Sequence, residues 1–230
     1  MKKLIIIPAY NESESIRSTV LDIKKDAPGF DYVVINDCST DDTEKICREE
    51  NFNYISLPIN LGIGGAVQTG FRYACANGYD IAVQVDGDGQ HDVRFLDRMA
   101  EAMTAQGADM VIGSRFIEKK GFQSSAMRRT GIAFFTGLIR LMTGVTVTDP
   151  TSGFRMVNRD TAELFAQTYP RDYPEPESIV FLLHKGKRIA EVPVKMRERQ
   201  GGVSSIRFTA SVYYMIKVTL AVLIERLRSR

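Results

Sequence analysis

The sequence predicts an α/β fold in which helices cover a mostly parallel sheet, and two observations support this. The chain has 230 residues, of which 44% are apolar and 25% charged, enough for one large domain with a core. Apolar, β-branched runs also alternate with segments of helical spacing or turns, a pattern typical of parallel strands joined by helices. These runs are LIII (4–7), YVVI (32–35), YISL (54–57), IAVQV (81–85) and DMVIG (109–113).

The first half of the chain supplies signals for individual elements. The LIII run is too short for the apolar segment of a signal peptide, so we interpret it as a buried first strand. Ser39 and Asp42 resemble a capping box at the start of a helix. A further helix begins near Gly65 and ends at Asn77, which a glycine follows.

The second half of the chain has a helical stretch around 125–143 and extended pieces at 153–157 and 189–196. No linker, repeat or low-complexity tract separates it from the first half. We therefore expect one domain over residues 1–205, followed by a C-terminal amphipathic helix over residues 206–230.

Charge and cysteine content exclude some classes of function. A net charge of +2 gives no basis for a nucleic-acid partner, which usually requires a strong basic excess. The three cysteines form no C-x-x-C pair, which argues against a zinc site or a disulfide scaffold. This composition is typical of a protein in the reducing cytosol.

Polar segments, several of them rich in glycine, follow all five predicted strands. In open α/β sheets, ligands bind at the carboxyl ends of the strands, so we expect these segments to meet at one edge and form a site. In chain order they are PAYNE (8–12), NDCSTDD (36–42), NLGIGG (60–65), DGDGQH (86–91) and GSR (113–115).

The segment after the fourth strand predicts a metal site. Asp86, Asp88 and Asp92 repel one another unless a cation lies among them. Oxygen ligands without cysteine suit Mg²⁺ or Mn²⁺ rather than zinc, and Mg²⁺ usually takes one or two carboxylates together with substrate phosphates. The alternative is that D-G-D-G is simply a turn.

The glycines after the third strand do not form a known nucleotide motif. Gly62, Gly64 and Gly65 are spaced as G-x-G-G, which fits neither the dinucleotide fingerprint nor the P-loop. We interpret them as the start of a helix whose backbone approaches a neighbour or a ligand closely.

These segments together resemble a known family. PAYNE, NDCSTD, NLGIGGA, DGDGQH, GSR and DPTSGFR, in this order, closely resemble the motifs of inverting family 2 glycosyltransferases with the GT-A (Rossmann-like) fold. Within the family, the chain is most similar to polyprenyl-phosphate sugar synthases of the dolichyl-phosphate mannosyltransferase and undecaprenyl-phosphate glucosyltransferase type. The resemblance implies metal-dependent transfer of a hexose from a UDP- or GDP-sugar to polyprenyl phosphate.

The resemblance also implies roles for individual residues. The metal, Mg²⁺ or Mn²⁺, would be held mainly by Asp88, with Gln90 completing the site and Asp86 against the ribose or the metal. His91 has no assigned role, and a single histidine near a strand end more often forms hydrogen bonds than binds metal. The implied nucleoside contacts are Pro8, Tyr10, Glu12 and Asp37, and the implied phosphate contacts are Arg115, Arg199 and Ser205 of the GGVSS segment.

The acceptor could be either of two chemical types. A lipid monophosphate is already anionic and needs no strong base, and Arg128 and Arg129 resemble the basic pair that receives it. A sugar hydroxyl needs a carboxylate within reach, which Asp149, Glu175 or Glu177 could supply. The simpler interpretation of both groups is an ordinary solvated surface. The candidate catalytic residues are Asp88, Asp149, Arg155 of DPTSGFR and Glu177.

The chain departs from the synthases at two positions. Thr130 stands where they often have a serine after the basic pair. Where the synthases commonly have a lysine after the late serine, this chain has Ser205, Ile206 and Arg207, and Arg207 could supply the charge. Both departures concern the predicted acceptor and phosphate contacts.

The segment over residues 206–230 bears on membrane association. Arg207, Lys217 and Glu225 interrupt it before about twenty apolar residues accumulate, so it does not predict a bilayer span. An amphipathic helix at the membrane surface fits, as does a helix packed on the domain itself. We expect peripheral attachment at the cytoplasmic face, directly or through a small membrane-protein partner. A non-catalytic nucleotide-sugar binding subunit is the alternative from another class.

Overall fold

A single sheet forms the centre of the protein. The computed structural model describes residues 1–118, 126–170, 174–197 and 219, without the side chains of 126–128, and within this part the sheet has seven strands. They are β1 (Lys3–Ala9), β2 (Asp31–Asn36), β3 (Tyr54–Ser56), β4 (Ile81–Gln84), β5 (Met110–Ser114), β6 (Arg155–Asn158) and β7 (Ile189–Pro193).

The sheet is mostly parallel, as the sequence predicts. Its strand order is β3-β2-β1-β4-β6-β5-β7, and only β6 runs antiparallel to its neighbours. Because β6 lies between β4 and β5 and opposes both, β5 points in the same direction as β1 to β4. The carboxyl ends of the first five strands therefore lie at one edge, which we call the carboxyl edge.

Helices cover both faces of the sheet. They are α1 (Ile16–Asp26), α2 (Thr43–Glu49), α3 (Gly62–Ala76), α4 (Leu96–Gln106), α5 (Ala126–Thr143), α6 (Arg159–Gln167) and α7 (Pro174–His184), with a 3-10 turn at Val93–Phe95. The helix predicted around 125–143 is thus confirmed as α5, and the helix predicted near Gly65 begins three residues earlier.

The core consists of two layers, one on each face of the sheet. In β1, alternate residues enter opposite layers, because successive side chains of a strand point to opposite faces. Ile5 and Ile7 pack in the layer formed with α1 and α4, while Leu4 and Ile6 pack in the layer formed with α3, α5, α6 and α7. All four side chains are fully buried, which explains why the first strand reads as a continuous apolar run.

The predicted capping box is wrong. Helix α2 begins at Thr43, and the preceding Asp42 makes no capping hydrogen bond with its side chain. The carboxylate of Asp41 instead accepts the Thr43 N–H at 2.9 Å. Ser39 is used elsewhere, since its hydroxyl oxygen accepts the N–H of Asn11 at 3.0 Å.

The structure does not test every part of the sequence prediction. Arg199, Ser205, Arg207 and the C-terminal helix over residues 206–230 lie outside the described residues. Among the helices that the structure describes, none combines the length and the apolar character needed to cross a membrane.

Candidate active site

The carboxyl edge brings together the loops after β1 and β4. A Cβ atom added to Gly87, in the loop after β4, would lie 3.2 Å from the carbonyl oxygen of Pro8 and 3.4 Å from the Glu12 side chain. The carbonyl oxygen of Gly87 also accepts a hydrogen bond from the buried Thr19 hydroxyl of α1 at 3.1 Å. A side chain at this position would be tightly packed against the loop after β1, so glycine lets these two loops approach closely.

The predicted nucleoside residues occupy different environments. Pro8 is buried, whereas the ring of Tyr10 is 49% exposed at the surface of the edge. Glu12 is partly buried, and its carboxylate accepts the Ser15 hydroxyl at 2.9 Å. Of the predicted nucleoside residues in the PAYNE segment, Tyr10 is therefore the most exposed.

Asp37 lies under the start of α3. Its carboxylate is 3% exposed and accepts the backbone N–H of Leu61 at 2.7 Å. Burial raises the pKa of Asp37 above its usual value, and hydrogen bonds from the backbone of Leu61 and Gly62 offset only part of this effect. The carboxylate thus connects the end of β2 to the glycine-rich helix start that the sequence analysis identified.

The loop after β4 arranges the predicted metal ligands. Asp86 accepts the side-chain amide of Gln84 at 2.8 Å, and its own N–H donates to Nδ1 of His91 at 3.0 Å. Asp88 is 7% exposed and accepts the N–H of Gln90 at 3.0 Å. A Cβ on Gly153 would lie 3.1 Å from the Asp86 carboxylate, so the DPTSG segment closes over this loop.

These ligands fit a hard divalent cation that the substrate helps to bind. In the described part of the chain, no group of three or more His, Cys, Asp or Glu side chains could hold a metal by itself. Two carboxylates in one short loop match the one or two that Mg²⁺ takes when phosphate oxygens and water complete its shell. The donor set suits Mg²⁺ or Mn²⁺ and not zinc.

His91 has a structural role in this loop, as its sequence context suggests. Its Nδ1 accepts the Asp86 N–H, and its ring stacks on Phe154 with the ring centres 4.8 Å apart. The side chain is 6% exposed. His91 therefore holds the backbone of the loop after β4 against the DPTSGF segment.

Arg115 and Asp149 bind each other. Two nitrogens of the Arg115 guanidinium donate to the two Asp149 oxygens, each at 2.7 Å, and Asp149 is fully buried. Glu191 of β7 supports this pair, because its carboxylate accepts the N–H groups of Thr148 at 2.8 Å and Asp149 at 3.0 Å. A carboxylate held in this way is poorly placed to act as the base that the sequence allowed for Asp149.

Arg155 also has a supporting position. It is 3% exposed, and its guanidinium donates to the carbonyls of Pro150 at 2.8 Å and Ser152 at 2.7 Å. It further donates to the Glu175 carbonyl and to the Ser178 hydroxyl, so it joins the DPTSG segment to the first turn of α7. These contacts orient α7 rather than place Arg155 against a reacting group.

Glu175 and Glu177, the other candidate bases, lie in the first turn of α7 and are partly buried. Arg129 and Thr130 are exposed in the first turns of α5. The side chain of Arg128, like Arg199 and Ser205, lies outside the described residues. The predicted acceptor and phosphate groups are therefore only partly described.

Sequence reasoning missed several supporting residues. Glu191 follows no motif, and its partners lie more than forty positions earlier in the chain. Asp41 belongs to the NDCSTDD segment and Thr43 directly follows it, but their local pattern does not show that they bind the loop after β1. Contacts between distant loops leave no periodic signal in a single sequence.

Comparison with known proteins gives consistent results. The family model described as "Glycosyl transferase family 2" matches residues 4–165. The undecaprenyl-phosphate mannosyltransferase of Micrococcus luteus is 32% identical, over 100% of this chain and 99% of the relative. The polyprenol monophosphomannose synthase of Mycolicibacterium smegmatis is 28% identical, over 89% and 81% of the two chains.

Solved structures support the fold. Glucosyl-3-phosphoglycerate synthase from Mycobacterium tuberculosis with UDP superimposes with a TM-score of 0.75 at 20% identity, covering 98% of this chain and 80% of that one. The same synthase with Mn²⁺, UDP and glucosyl-3-phosphoglycerate gives a TM-score of 0.73 at 22% identity, over 98% and 79% of the two chains. At this level of identity the likeness confirms the predicted fold and carries no further conclusion.

Proposed function

The chain belongs to glycosyl transferase family 2, and from this premise we propose that it transfers a hexose from a UDP- or GDP-sugar to polyprenyl phosphate, using Mg²⁺ or Mn²⁺. The observation that carries the proposal is the loop after β4. It presents Asp86 and Asp88 at the carboxyl edge, between the loops after β1 and the DPTSG segment. Relatives that match nearly the whole chain bear names of polyprenyl-phosphate mannosyltransferases.

The described contacts support a donor side of the site in the loops after β1 and β2. Tyr10 offers an exposed ring to the nucleobase, and Asp37 and Glu12 lie in the two loops beside it. Asp88, with Asp86 and Gln90, would hold the divalent cation against the diphosphate. When bound, the cation stabilises the negative charge that develops on the leaving diphosphate.

The protein contributes a fixed environment for this charge. Asp149 and Glu191 hold the loop that carries Arg115, so the arginine stays at the end of β5 throughout the reaction. The transfer proceeds with inversion, because the acceptor oxygen attacks the anomeric carbon from the side opposite the diphosphate. A phosphate oxygen is already anionic near neutral pH and needs no strong base.

Arg129 is the described residue best suited to meet the acceptor phosphate, since it is exposed near the start of α5. The acceptor lies in a membrane, so we propose that the enzyme works at the cytoplasmic membrane surface, directly or with a small membrane-protein partner. A sugar hydroxyl is the second candidate acceptor. The partly buried Glu175 and Glu177 favour it, because either carboxylate could serve as the base.

One assay separates the two acceptors. The protein with Mn²⁺ receives radiolabelled UDP-glucose or GDP-mannose together with a short-chain polyprenyl phosphate and an oligosaccharide. We expect label in the organic phase, in a product that mild acid cleaves to free sugar. Label in the oligosaccharide alone would establish the second acceptor, and label in neither with any donor would contradict both.

A further inference from the structure

The loops after β1 and β2 are joined by an unusually regular set of hydrogen bonds. Three consecutive backbone N–H groups of the first loop donate to two side chains of the second loop and to one at the start of α2. The pairs are Asn11 N–H to the Ser39 hydroxyl at 3.0 Å, Glu12 N–H to the Thr43 hydroxyl at 2.9 Å, and Ser13 N–H to the Asp41 carboxylate at 3.0 Å.

The side chain of Asn11 makes the connection in the opposite direction. Its Oδ1 accepts the backbone N–H of Thr40 at 2.8 Å and the Thr40 hydroxyl at 3.3 Å. We call these two bonds the Asn11 clamp. Each loop therefore supplies both backbone and side-chain groups to the other, which leaves little freedom for either to shift.

Both loops also contain a residue in the left-handed backbone region. Asn11 has a φ of 56°, and Cys38, which directly follows Asp37, has a φ of 58°. This region is unfavourable for residues other than glycine, and asparagine is among those that tolerate it best. Such conformations persist where the surroundings hold them in place, and they concentrate at functional sites.

Asn11 is exposed, so its bonds compete with water and add little to global stability. What they fix is the relative position of the two loops. Tyr10 and Glu12 flank Asn11 in one loop, and Asp37 begins the other. The clamp thus spans the gap between the residues that would frame the nucleoside.

We propose that Asn11 is a positioning residue for the donor nucleotide: its clamp on Thr40 holds the two loops at the separation that nucleoside binding requires. The inference rests on the proposed function, because it takes these loops as the nucleoside site. A preformed pocket binds more tightly since less freedom is lost on binding.

The test uses nucleotide binding alone, measured by calorimetry on the full chain with UDP or GDP and Mn²⁺ in about 0.3 M salt, which screens surface charges. Three substitutions of Asn11 separate the effect of its side-chain hydrogen bonds from the effect of its backbone conformation. Asn11→Ala loses the clamp and strains the left-handed turn, Asn11→Gly loses the clamp without that strain, and Asn11→Asp keeps an acceptor oxygen and the turn.

Asn51 supplies a matched control. It is an exposed asparagine with a φ of 51°, but it follows α2 and precedes β3, at the edge opposite the site. Asn51→Ala introduces the same backbone strain as Asn11→Ala without touching the loops. A thermal melt of each variant separates an effect on stability from an effect on affinity.

We expect Asn11→Ala and Asn11→Gly to weaken nucleotide binding about tenfold, the loss of one to two hydrogen bonds. Asn11→Asp should stay within about twofold of wild type, as should Asn51→Ala. In the transfer assay, KM for the donor should rise while kcat at saturating donor changes little.

Two results would overturn the inference. If Asn11→Gly binds nucleotide as tightly as wild type does, the clamp does not affect binding and only the backbone conformation can matter. If Asn11→Ala also binds as tightly as wild type, neither the clamp nor the backbone conformation matters. Wild-type protein that binds neither UDP nor GDP would refute the donor assignment and this inference together. Protein that binds nucleotide but does not glycosylate polyprenyl phosphate would refute the acceptor alone, and the Asn11 variants would still decide the role of the clamp.

Discussion

The two halves of the carboxyl edge use polar residues in opposite ways. In the half after β1 and β2, small polar side chains bind the backbone of the neighbouring loop and leave Tyr10 exposed for a ligand. In the half after β5, the charged groups are buried: Asp149, 0% exposed, pairs with Arg115, and Arg155, 3% exposed, donates to backbone carbonyls and a hydroxyl. Similar motif content thus builds an exposed loop surface in one half and a buried framework in the other.

This difference separates residues that support the site from residues that act in it. Taking a charge out of water is costly unless it is paired and hydrogen-bonded, and the second half meets that condition with the Arg115–Asp149 pair. A carboxylate committed in this way is poorly placed to act as a base. The proposed acceptor-side groups of the second half are the more exposed ones, Arg129 and the two glutamates at the start of α7.

The loop after β4, which carries the proposed metal ligands, lies at the boundary between the halves, and loss of its main proposed ligand should have the largest effect. Asp88→Ala removes the main proposed ligand of the cation at the leaving diphosphate. We expect kcat to fall about a thousandfold, as when a principal electrostatic contact of a transition state is lost. Radiolabelled donor turnover over a Mn²⁺ titration measures this effect. Asp97→Ala, at a side chain that is 75% exposed, is the control and should retain full activity.

Loss of a contact in the buried framework, such as the Arg115–Asp149 pair, should mainly lower the free energy of unfolding. Asp149→Ala leaves the Arg115 guanidinium without its bidentate partner, and breaking a buried pair from one side costs about 3–5 kcal/mol of unfolding free energy. Chemical denaturation measures the change. Replacing both partners, with Arg115→Met and Asp149→Leu, should recover part of it, because no unpaired charge is left. A loss below about 1 kcal/mol in Asp149→Ala would mean that the pair is not a framework contact.

Two helical glycines, one in α3 and one in α5, lie in differently packed surroundings. A Cβ at Gly70 of α3 would lie 2.2 Å from the Ile6 side chain, whereas a Cβ at Gly137 of α5 would have no atom within 4 Å. We expect Gly70→Ala to cost about 1–3 kcal/mol through overpacking. Gly137→Ala should instead stabilise the protein by about 0.5–1 kcal/mol, since alanine favours the helix. Thermal melts of both variants test the contrast, and equal shifts would contradict it.

The sequence predicts the fold better than the division of labour within the site. All five runs of the first half become strands, because buried parallel strands read as continuous apolar segments. The polar segments after them indicate where the site lies. These segments do not show which of Asp149 and Asp88 pairs with Arg115, since both are aspartates beside glycine or proline turns. That distinction depends on partners far away in the chain, such as Glu191.

The smallest expected effects concern two aspartates of the first half whose charges act on stability in opposite directions. Burial acts to raise the pKa of Asp41, but hydrogen bonds from Thr43 and Ser13 outweigh it, and the net pKa lies below the usual 3.8. The Asp41 carboxylate therefore stabilises the fold above pH 3.8, and this contribution is lost as the pH falls through its lowered pKa. Asp37 behaves oppositely, because burial raises its pKa and its ionised form is disfavoured in the folded state.

At pH 7 we accordingly expect Asp41→Ala to lose about 1 kcal/mol, the usual cost of removing a side chain that caps a helix start. Asp37→Asn should be slightly more stable than wild type at pH 7, because the amide keeps one acceptor for the Leu61 N–H and carries no charge to bury. The Asp37→Asn difference should shrink as the pH falls through the raised pKa of Asp37 and should be gone below 3.8, where this carboxyl is neutral in both states. The charge-dependent part of the Asp41→Ala difference should persist to pH 3.8 and shrink only as the pH falls from there through the lowered pKa of Asp41. Denaturant unfolding at pH 7, 5 and 3.5 measures both variants. If Asp37→Asn were destabilised at pH 7 as Asp41→Ala is, the charge of Asp37 would stabilise the folded loops, and the expectation for Asp37 would be wrong.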